Sequence, residues 1–426
     1  MNAPFRPDPL HLDPLHLDPF RLDPFRLDVT GSDLHGEIRE LQALGPVVRV
    51  ELPDGIPAWV VTRYEVLRDL VTDPRVAKDP ANWALLASGA VPEGWSLINF
   101  VEPAGMVTAD GDDHRRLRAL VAQAFTPRRI AGMHARTEAT VSALLDDLDG
   151  HFATGGPDTP VDLRLHYAYP LAMRTIGNLL GVPPERYDEF RALSASLASS
   201  ATGPDEVLTT RRRLLSLLAD LAAEKRARPG EDITTDLIAA REDGDRLSEE
   251  ELIGTLLLML VAGHSTTLNL VTNAVRALLT HPGQLALVLS GERPWTSVTE
   301  EILRWDSPVG HFPMRYATED IPLAGEVIRR GDAILVSYAA AGRDADRYGP
   351  TAGDFDLTRE QTRHLTFGHG AHFCVGAALA RQEAGVALPA LFDRFPKLSL
   401  AVPPESLTPV PSFITNSVGT LPVLRA

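Results

Sequence analysis

Phe367-Gly368-His369-Gly370-Ala371-His372-Phe373-Cys374-Val375-Gly376 contains the only cysteine of this 426-residue chain. A single cysteine excludes an internal disulfide and any multi-thiolate metal cluster, so the sulfur of Cys374 acts alone. Gly368, Gly370 and Gly376 surround it and permit backbone conformations and close approaches that a Cβ forbids. The first two suit a loop wrapped tightly around a flat ligand. Beyond Gly376, Ala377-Ala378-Leu379-Ala380-Arg381-Gln382-Glu383-Ala384 contains no breaker and predicts a helix. Cys374 thus falls near a helix N-terminus, where free N–H groups and the positive dipole end favour a thiolate.

One axial thiolate is what an oxygen-activating haem requires, because its electron donation promotes O–O cleavage. The stretch resembles the haem-binding signature of the cytochrome P-450 family, Phe-Gly-x-Gly-x-His-x-Cys-x-Gly, with every fixed position matched. The resemblance implies a mainly α fold: a helix-rich domain with a smaller β region, and haem between a long central helix and the Cys loop. It implies heme b (iron protoporphyrin IX) as cofactor and Cys374 as the iron ligand, with Phe367, Gly368 and Gly376 shaping the loop. It covers residues 30–426 as a single catalytic domain. Residues 1–29 are left over, and there Asp-Pro-Leu/Phe-His/Arg-Leu repeats four times between Asp8 and Leu27. Proline every fifth residue rules out a continuous helix, so an extended, partly disordered arm without a catalytic role is expected.

Composition narrows the functional classes. A formal net charge of −16 argues against nucleic acid as a partner. The most apolar run, Leu256 to Ala262, is far shorter than the roughly 20 residues of a membrane span. No secretory signal opens the chain. A soluble, cytoplasmic monomer is expected. Val47–Leu52 and Ala58–Val61 flank Pro53-Asp54-Gly55 and predict a hairpin. Arg115–Phe125, His134–Leu148, Tyr187–Ser200 and Glu206–Ala227 predict helices, with no βαβ alternation.

Three further motifs complete the chemistry. Leu256-Leu257-Leu258-Met259-Leu260-Val261-Ala262-Gly263-His264-Ser265-Thr266-Thr267 is a buried helix that turns polar in mid-course. Its small residues Ala262 and Gly263 let a large ligand approach the backbone. It resembles the family's Ala-Gly-x-acid-Thr segment on the distal haem face, which implies that Thr266 holds the water that passes protons to oxygen. Ser265 stands where the family has the acid, and a serine cannot supply a carboxyl proton. Glu301 and Arg304 are three apart on one helix face. They match the family's Glu-x-x-Arg lock, with Arg359 as the third member. His114 and Arg118 lie one helical turn apart; with Arg315 and His372 they match the positions that hold the haem propionates.

The resemblance also implies a mostly apolar substrate pocket that includes Leu197, Leu260, Phe312, Phe413 and Ile414. These suit a bulky hydrophobic small molecule such as a steroid, a polyketide or macrolide, or another secondary metabolite. Thr362-Arg363-His364-Leu365 before the loop and Phe395-Pro396 after it look like the hydroxylases of family 154 and its neighbours. With no flavin or iron–sulfur module evident, electrons are expected from a ferredoxin and its NAD(P)H-dependent reductase. That partner would dock near Arg115, Arg116, Arg128 and Arg129. The expected reaction is insertion of one atom of O₂ into a C–H bond. Oxidative coupling of aromatic substrates and a non-catalytic haem sensor are the alternatives.

Overall fold

The central helix, Glu249–Thr280, begins where the sequence supplies both halves of a capping box. The Glu251 N–H donates to Ser248 Oγ at 3.1 Å, and the Ser248 N–H donates to the Glu251 carboxylate at 2.8 Å. By length and composition this helix could cross a membrane, but 56% of its most apolar window is buried within the protein. It is a core helix. The apolar run Leu256–Ala262 is only its middle. Around it, Val271, Ala274, Val275 and Leu278 join one buried cluster with Leu171, Ala172, Ala384 and Leu388. Each large aliphatic side chain so buried contributes roughly 1.5–3 kcal/mol.

The computed structural model describes residues 23–101, 105–156, 158–198, 202–240 and 246–425. The anticipated helices are Gly111–Ala124, Pro127–Gly155, Tyr187–Ala198 and Pro204–Ala227. The second starts seven residues earlier than expected because Thr126 caps it and Pro127 supplies a preset φ at its first position. The helix after the cysteine loop is Ala377–Arg394.

Strands gather in a mixed sheet with spatial order Phe25–Arg26, Val47–Leu52, Ile56–Val61, Ala333–Ser337, His311–Ala317, Val76–Ala77. The hairpin turns through Asp54 and Gly55, both at positive φ. A register shift between Phe312 and Arg315 marks a bulge at Pro313, which has no N–H to give the ladder. A three-stranded sheet (Leu398–Leu400, Pro422–Arg425, Val161–Asp162) and a two-stranded one (Ile321–Leu323, Glu326–Ile328) complete the β region.

The first three copies of the pentapeptide repeat, with His11 and His16, lie outside the described residues. The fourth is extended and joins the sheet edge. Phe25–Arg26 pairs parallel to Val47–Leu52, the Leu27 N–H donates to Glu51 O at 3.3 Å, and Leu27 is buried. An edge strand tolerates Pro24 at its start.

Candidate active site

Backbone hydrogen bonds shape the loop around Cys374. Its N–H donates to Phe367 O at 2.8 Å, and Gly368 N–H donates to Leu365 O at 2.7 Å. Gly368 and Gly370 have φ of +75° and +71°, a region that favours glycine. A Cβ on Gly370 would also meet Thr72 Cγ2 at 2.8 Å. Gly376 has an ordinary φ of −84°, and what it contributes is open space beside the sulfur. The Arg381 guanidinium stacks 4.6 Å over the Phe367 ring and is itself held by Glu300 at 2.6 and 3.0 Å.

The Cys374 side chain is exposed. Burial nevertheless pushes its thiol up, against the N–H groups of Gly376 and Ala377 and the guanidinium groups of Arg118 and Arg381. The start of the helix Ala377–Arg394 therefore does not by itself lower the thiol.

Beside the sulfur the structure brings the four anticipated cofactor residues together. The His114 and His372 rings are 4.1 Å apart between centroids, and Arg118 donates to Phe373 O at 2.6 Å. Arg315 is buried, with Tyr338 as its side-chain partner. Lys78, which the sequence reading missed, belongs to the same cluster. It is buried, donates to Met314 O at 2.8 Å, and is pushed down to about 7 by burial and by the Arg315 charge. Among the described residues the side-chain charges of Lys78, Arg118 and Arg315 form no salt bridge; the Asp110 carboxylate accepts from the Lys78 N–H at 2.7 Å and stands 3.8 Å from His372. His114 Nε2 is buried with no partner among the described residues. Buried cations short of counter-charge are costly. A ligand bearing two carboxylates, with a metal for the sulfur, fits this donor set.

Along the central helix, Leu258, Val261, Ala262, Ser265 and Thr266 are more exposed than Met259, Leu260 and His264 between them. Their spacing of three and four is one helix face, and it is the open one. Thr266 Oγ1 donates to Ala262 O at 2.6 Å. The hydroxyl proton is thereby committed, so toward the open face Thr266 presents lone pairs.

Of the five expected pocket residues, Leu197, Leu260, Phe413 and Ile414 are buried at 3% exposure or less, Leu260 on the closed side of the central helix, and Phe312 is half-buried, edge-on to Phe100 at 5.9 Å. Gly263 also points away from the open face: a Cβ there would strike Ile176 Cδ1 at 2.7 Å. Its smallness serves helix packing.

Glu301 and Arg304 form a fully buried bidentate pair at 2.6 and 2.8 Å. Arg304 spends its remaining donors on the carbonyls of Gly342, Ala352 and Asp354, at 2.7, 2.8 and 2.8 Å. Arg359 Nε approaches Glu301 at 3.6 Å, too long for a hydrogen bond, while its outer nitrogens donate to Tyr348 O and Thr351 O. The arginines expected to meet a redox partner are partly neutralised within the chain. Arg115 pairs with Asp112, Arg116 with Glu251 and Arg129 with Asp236.

His264 is buried edge-on against Tyr169, neither ring nitrogen has a partner, and burial pushes its pKa down to about 4. The unfolded chain, with a histidine near 6.5, binds a proton that the folded chain refuses. Stability is therefore lost as pH falls from about 6.5 to 4, by roughly 3 kcal/mol from this residue. Denaturation of wild type and His264→Gln at pH 7 and pH 4 measures it. The wild type should lose more by about that amount, and parallel losses would contradict the assignment.

The family described as "Cytochrome P450" matches residues 295–420, which hold Glu301, Arg304, Arg315 and the Cys374 loop. The chain is 41% identical to 2-hydroxy-5-methyl-1-naphthoate 7-hydroxylase of Streptomyces carzinostaticus, over 92% of this chain and 95% of that protein. It is 39% identical to vitamin D(3) 25-hydroxylase of Pseudonocardia autotrophica, over 91% and 93%. Among solved structures, CYP154A1 from Streptomyces coelicolor A3(2) superposes with TM-score 0.88 at 48% identity, covering 94% of this chain and 100% of that one. CYP154C4 from Streptomyces sp. W2061 gives 0.90 at 45%, covering 94% and 98%. Such identity over nine-tenths of the length reaches well beyond a shared fold, and the chain belongs to the cytochrome P450 family, in its bacterial family-154-like group, as an oxygenase.

Proposed function

We propose that this chain inserts one atom of O₂ into a C–H bond of a bulky hydrophobic secondary metabolite, of steroid or polyketide size. The observation that carries the reading is the cationic cluster gathered beside exposed Cys374. Haem b is the proposed cofactor. It would be held there through the Cys374 sulfur and would supply the activation of O₂. Lys78, His114, Arg118, Arg315 and His372 would hold its propionates. Leu258, Val261, Ala262, Phe100 and Phe312 give the substrate an apolar bed.

The chain's own residues then handle water and protons. Thr266, its proton committed to Ala262 O, accepts a hydrogen bond from water in the pocket and fixes that water's orientation. Ser265 adds a second hydroxyl on the same face but no acid. Electrons come from a ferredoxin with its NAD(P)H-dependent reductase, docking beside exposed Phe373 and Arg128. A cytoplasmic monomer is part of the same proposal. Two named relatives are a naphthoate hydroxylase and a vitamin D(3) hydroxylase, and they set the size range of the first compounds to try.

A spectral-shift screen of steroids, macrolides and aromatic metabolites should give at least one binder that is recovered with one added oxygen in the presence of O₂, NADPH and ferredoxin. Products joined in pairs with hydrogens lost would favour oxidative coupling, for which the missing acid at Ser265 gives motive. No O₂ consumption with any binder would overturn both. Thr266→Ala should divert electrons to peroxide, cutting product per NADPH by about tenfold while NADPH oxidation continues. Unchanged product per NADPH would show that Thr266 does not order the water.

A further inference from the structure

The edge strand Phe25–Arg26 belongs to the fourth copy of the repeat, and its hold on the sheet rests on Phe25, Arg26 and Leu27. Phe25 and Arg26 pair in parallel with Val50 and Glu51. Arg26 Nε lies 3.0 Å from the Glu51 carboxylate, and the Leu27 N–H donates to Glu51 O at 3.3 Å. Leu27 is buried in one cluster with Val48, Val50 and Leu52, and half-buried Phe25 packs against that cluster. The anchor that follows lies outside the repeat. The Asp28 carboxylate accepts from the N–H groups of Thr30 and Ser32, both at 2.8 Å, and the Asp28 N–H donates to Glu37 at 2.6 Å.

Asp18-Pro19-Phe20-Arg21-Leu22 repeats Asp23-Pro24-Phe25-Arg26-Leu27 residue for residue. It lies outside the described residues, and its sequence is what bears on the edge. A strand that slips by one residue turns its side chains to the wrong face. A slip by one whole repeat is different, because it returns Phe, Arg and Leu to the same places. Phe20 would stand opposite Val50, Arg21 opposite Glu51, and the Leu22 N–H would meet Glu51 O. The Asp28 anchor would be untouched, with Asp23–Leu27 bulging as a loop ahead of it. The first two copies fit less well. They offer Leu10 and Leu15 for the phenylalanine, and His11 and His16 for the arginine that meets Glu51.

We propose that the edge of Val47–Leu52 is a docking slot for the Phe-Arg-Leu of the repeat, and that the third copy, Asp18–Leu22, is its second occupant within the same chain. The fourth copy holds the slot most of the time, because seating the third closes a loop and loop closure costs entropy. The shifted register is a minor state, and it becomes the major one when the fourth copy is damaged. The spare copy keeps the edge covered. Left bare, Val47–Leu52 would present unpaired N–H and C=O groups beside Val48, Val50 and Leu52, a template for pairing with other chains. This role is independent of the reaction proposed above.

The test uses the full-length protein as wild type, Phe20→Ser, Phe25→Ser and the double variant, and follows amide hydrogen exchange over Val47–Leu52. Phe20→Ser should match wild type. Phe25→Ser should exchange no more than about threefold faster, because Phe20 takes the vacated place. The double variant should exchange at least about tenfold faster than Phe25→Ser, a loss that the two single changes do not add up to. In the Phe25→Ser background, a photo-crosslinking phenylalanine analogue in place of Phe20 should label Val47–Leu52 of its own chain. Equal exchange in Phe25→Ser and the double variant, or absence of that crosslink, overturns the proposal. Dimers of Phe25→Ser in light scattering, with the crosslink running between molecules, would place the third copy on a neighbouring chain and overturn the shift of register within one chain.

Discussion

Arg304→Ala is expected to yield protein that retains little or no haem and unfolds at much lower denaturant concentration. The substitution leaves the Glu301 carboxylate fully buried with no bidentate partner and strips the donors from three backbone carbonyls. Breaking a buried pair from one side costs about 3–5 kcal/mol, against a total stability of about 5–15 kcal/mol. Those carbonyls belong to Gly342, Ala352 and Asp354, on the chain that leads toward the Cys374 loop, so the damage reaches the cofactor site. Gly342 shows how closely they approach: a Cβ there would strike Arg304 O. Arg304→Lys keeps the charge but not the planar fork and should fall between. The haem-to-protein ratio and a denaturant midpoint check this. Wild-type values for both in Arg304→Ala would show that the pair is dispensable.

Cys374→Ser is expected to remove oxygenase activity entirely while leaving the fold in place. Haem, where it binds at all, would be held by the cationic cluster alone. A serine hydroxyl is nearly isosteric with the thiol, and Cys374 makes its loop contact through its backbone N–H, which the substitution keeps. Circular dichroism should match wild type, while the absorption spectrum and NADPH-driven turnover should not. Retained turnover in that variant would place the iron ligand elsewhere.

Much of this was legible before any coordinates. The loop motif could be read because its chemistry needs fixed residue types at fixed spacing. The Glu301–Arg304 pair could be read because i, i+3 defines a helix face. What stayed hidden depended on long-range juxtaposition. Lys78 enters the cationic cluster just after the short strand Val76–Ala77, far back in the chain, with no local signal. Apolar residues in a buried helix look alike, so which of Leu258 and Leu260 faces the open side is not legible one residue at a time. The available signal was periodicity: counting back by fours from Thr266 and Ser265 gives Ala262, Leu258 and Val261, the open face. Gly263 was misread because a small residue can admit a ligand or a neighbouring helix, and only Ile176 decides which.

In the repeat arm, proline at every fifth position excludes a continuous helix but not a short extended pairing: an edge strand two residues long needs only Phe25 and Arg26, just after Pro24.

The most direct check of the central claim, that the sulfur of Cys374 binds the cofactor iron, is the carbon monoxide difference spectrum of the reduced, haem-loaded protein. Sulfur ligation predicts the long-wavelength Soret band of a thiolate-bound haem in wild type and its loss in Cys374→Ser. A shorter-wavelength band in freshly prepared wild type, unchanged by the substitution, would contradict it.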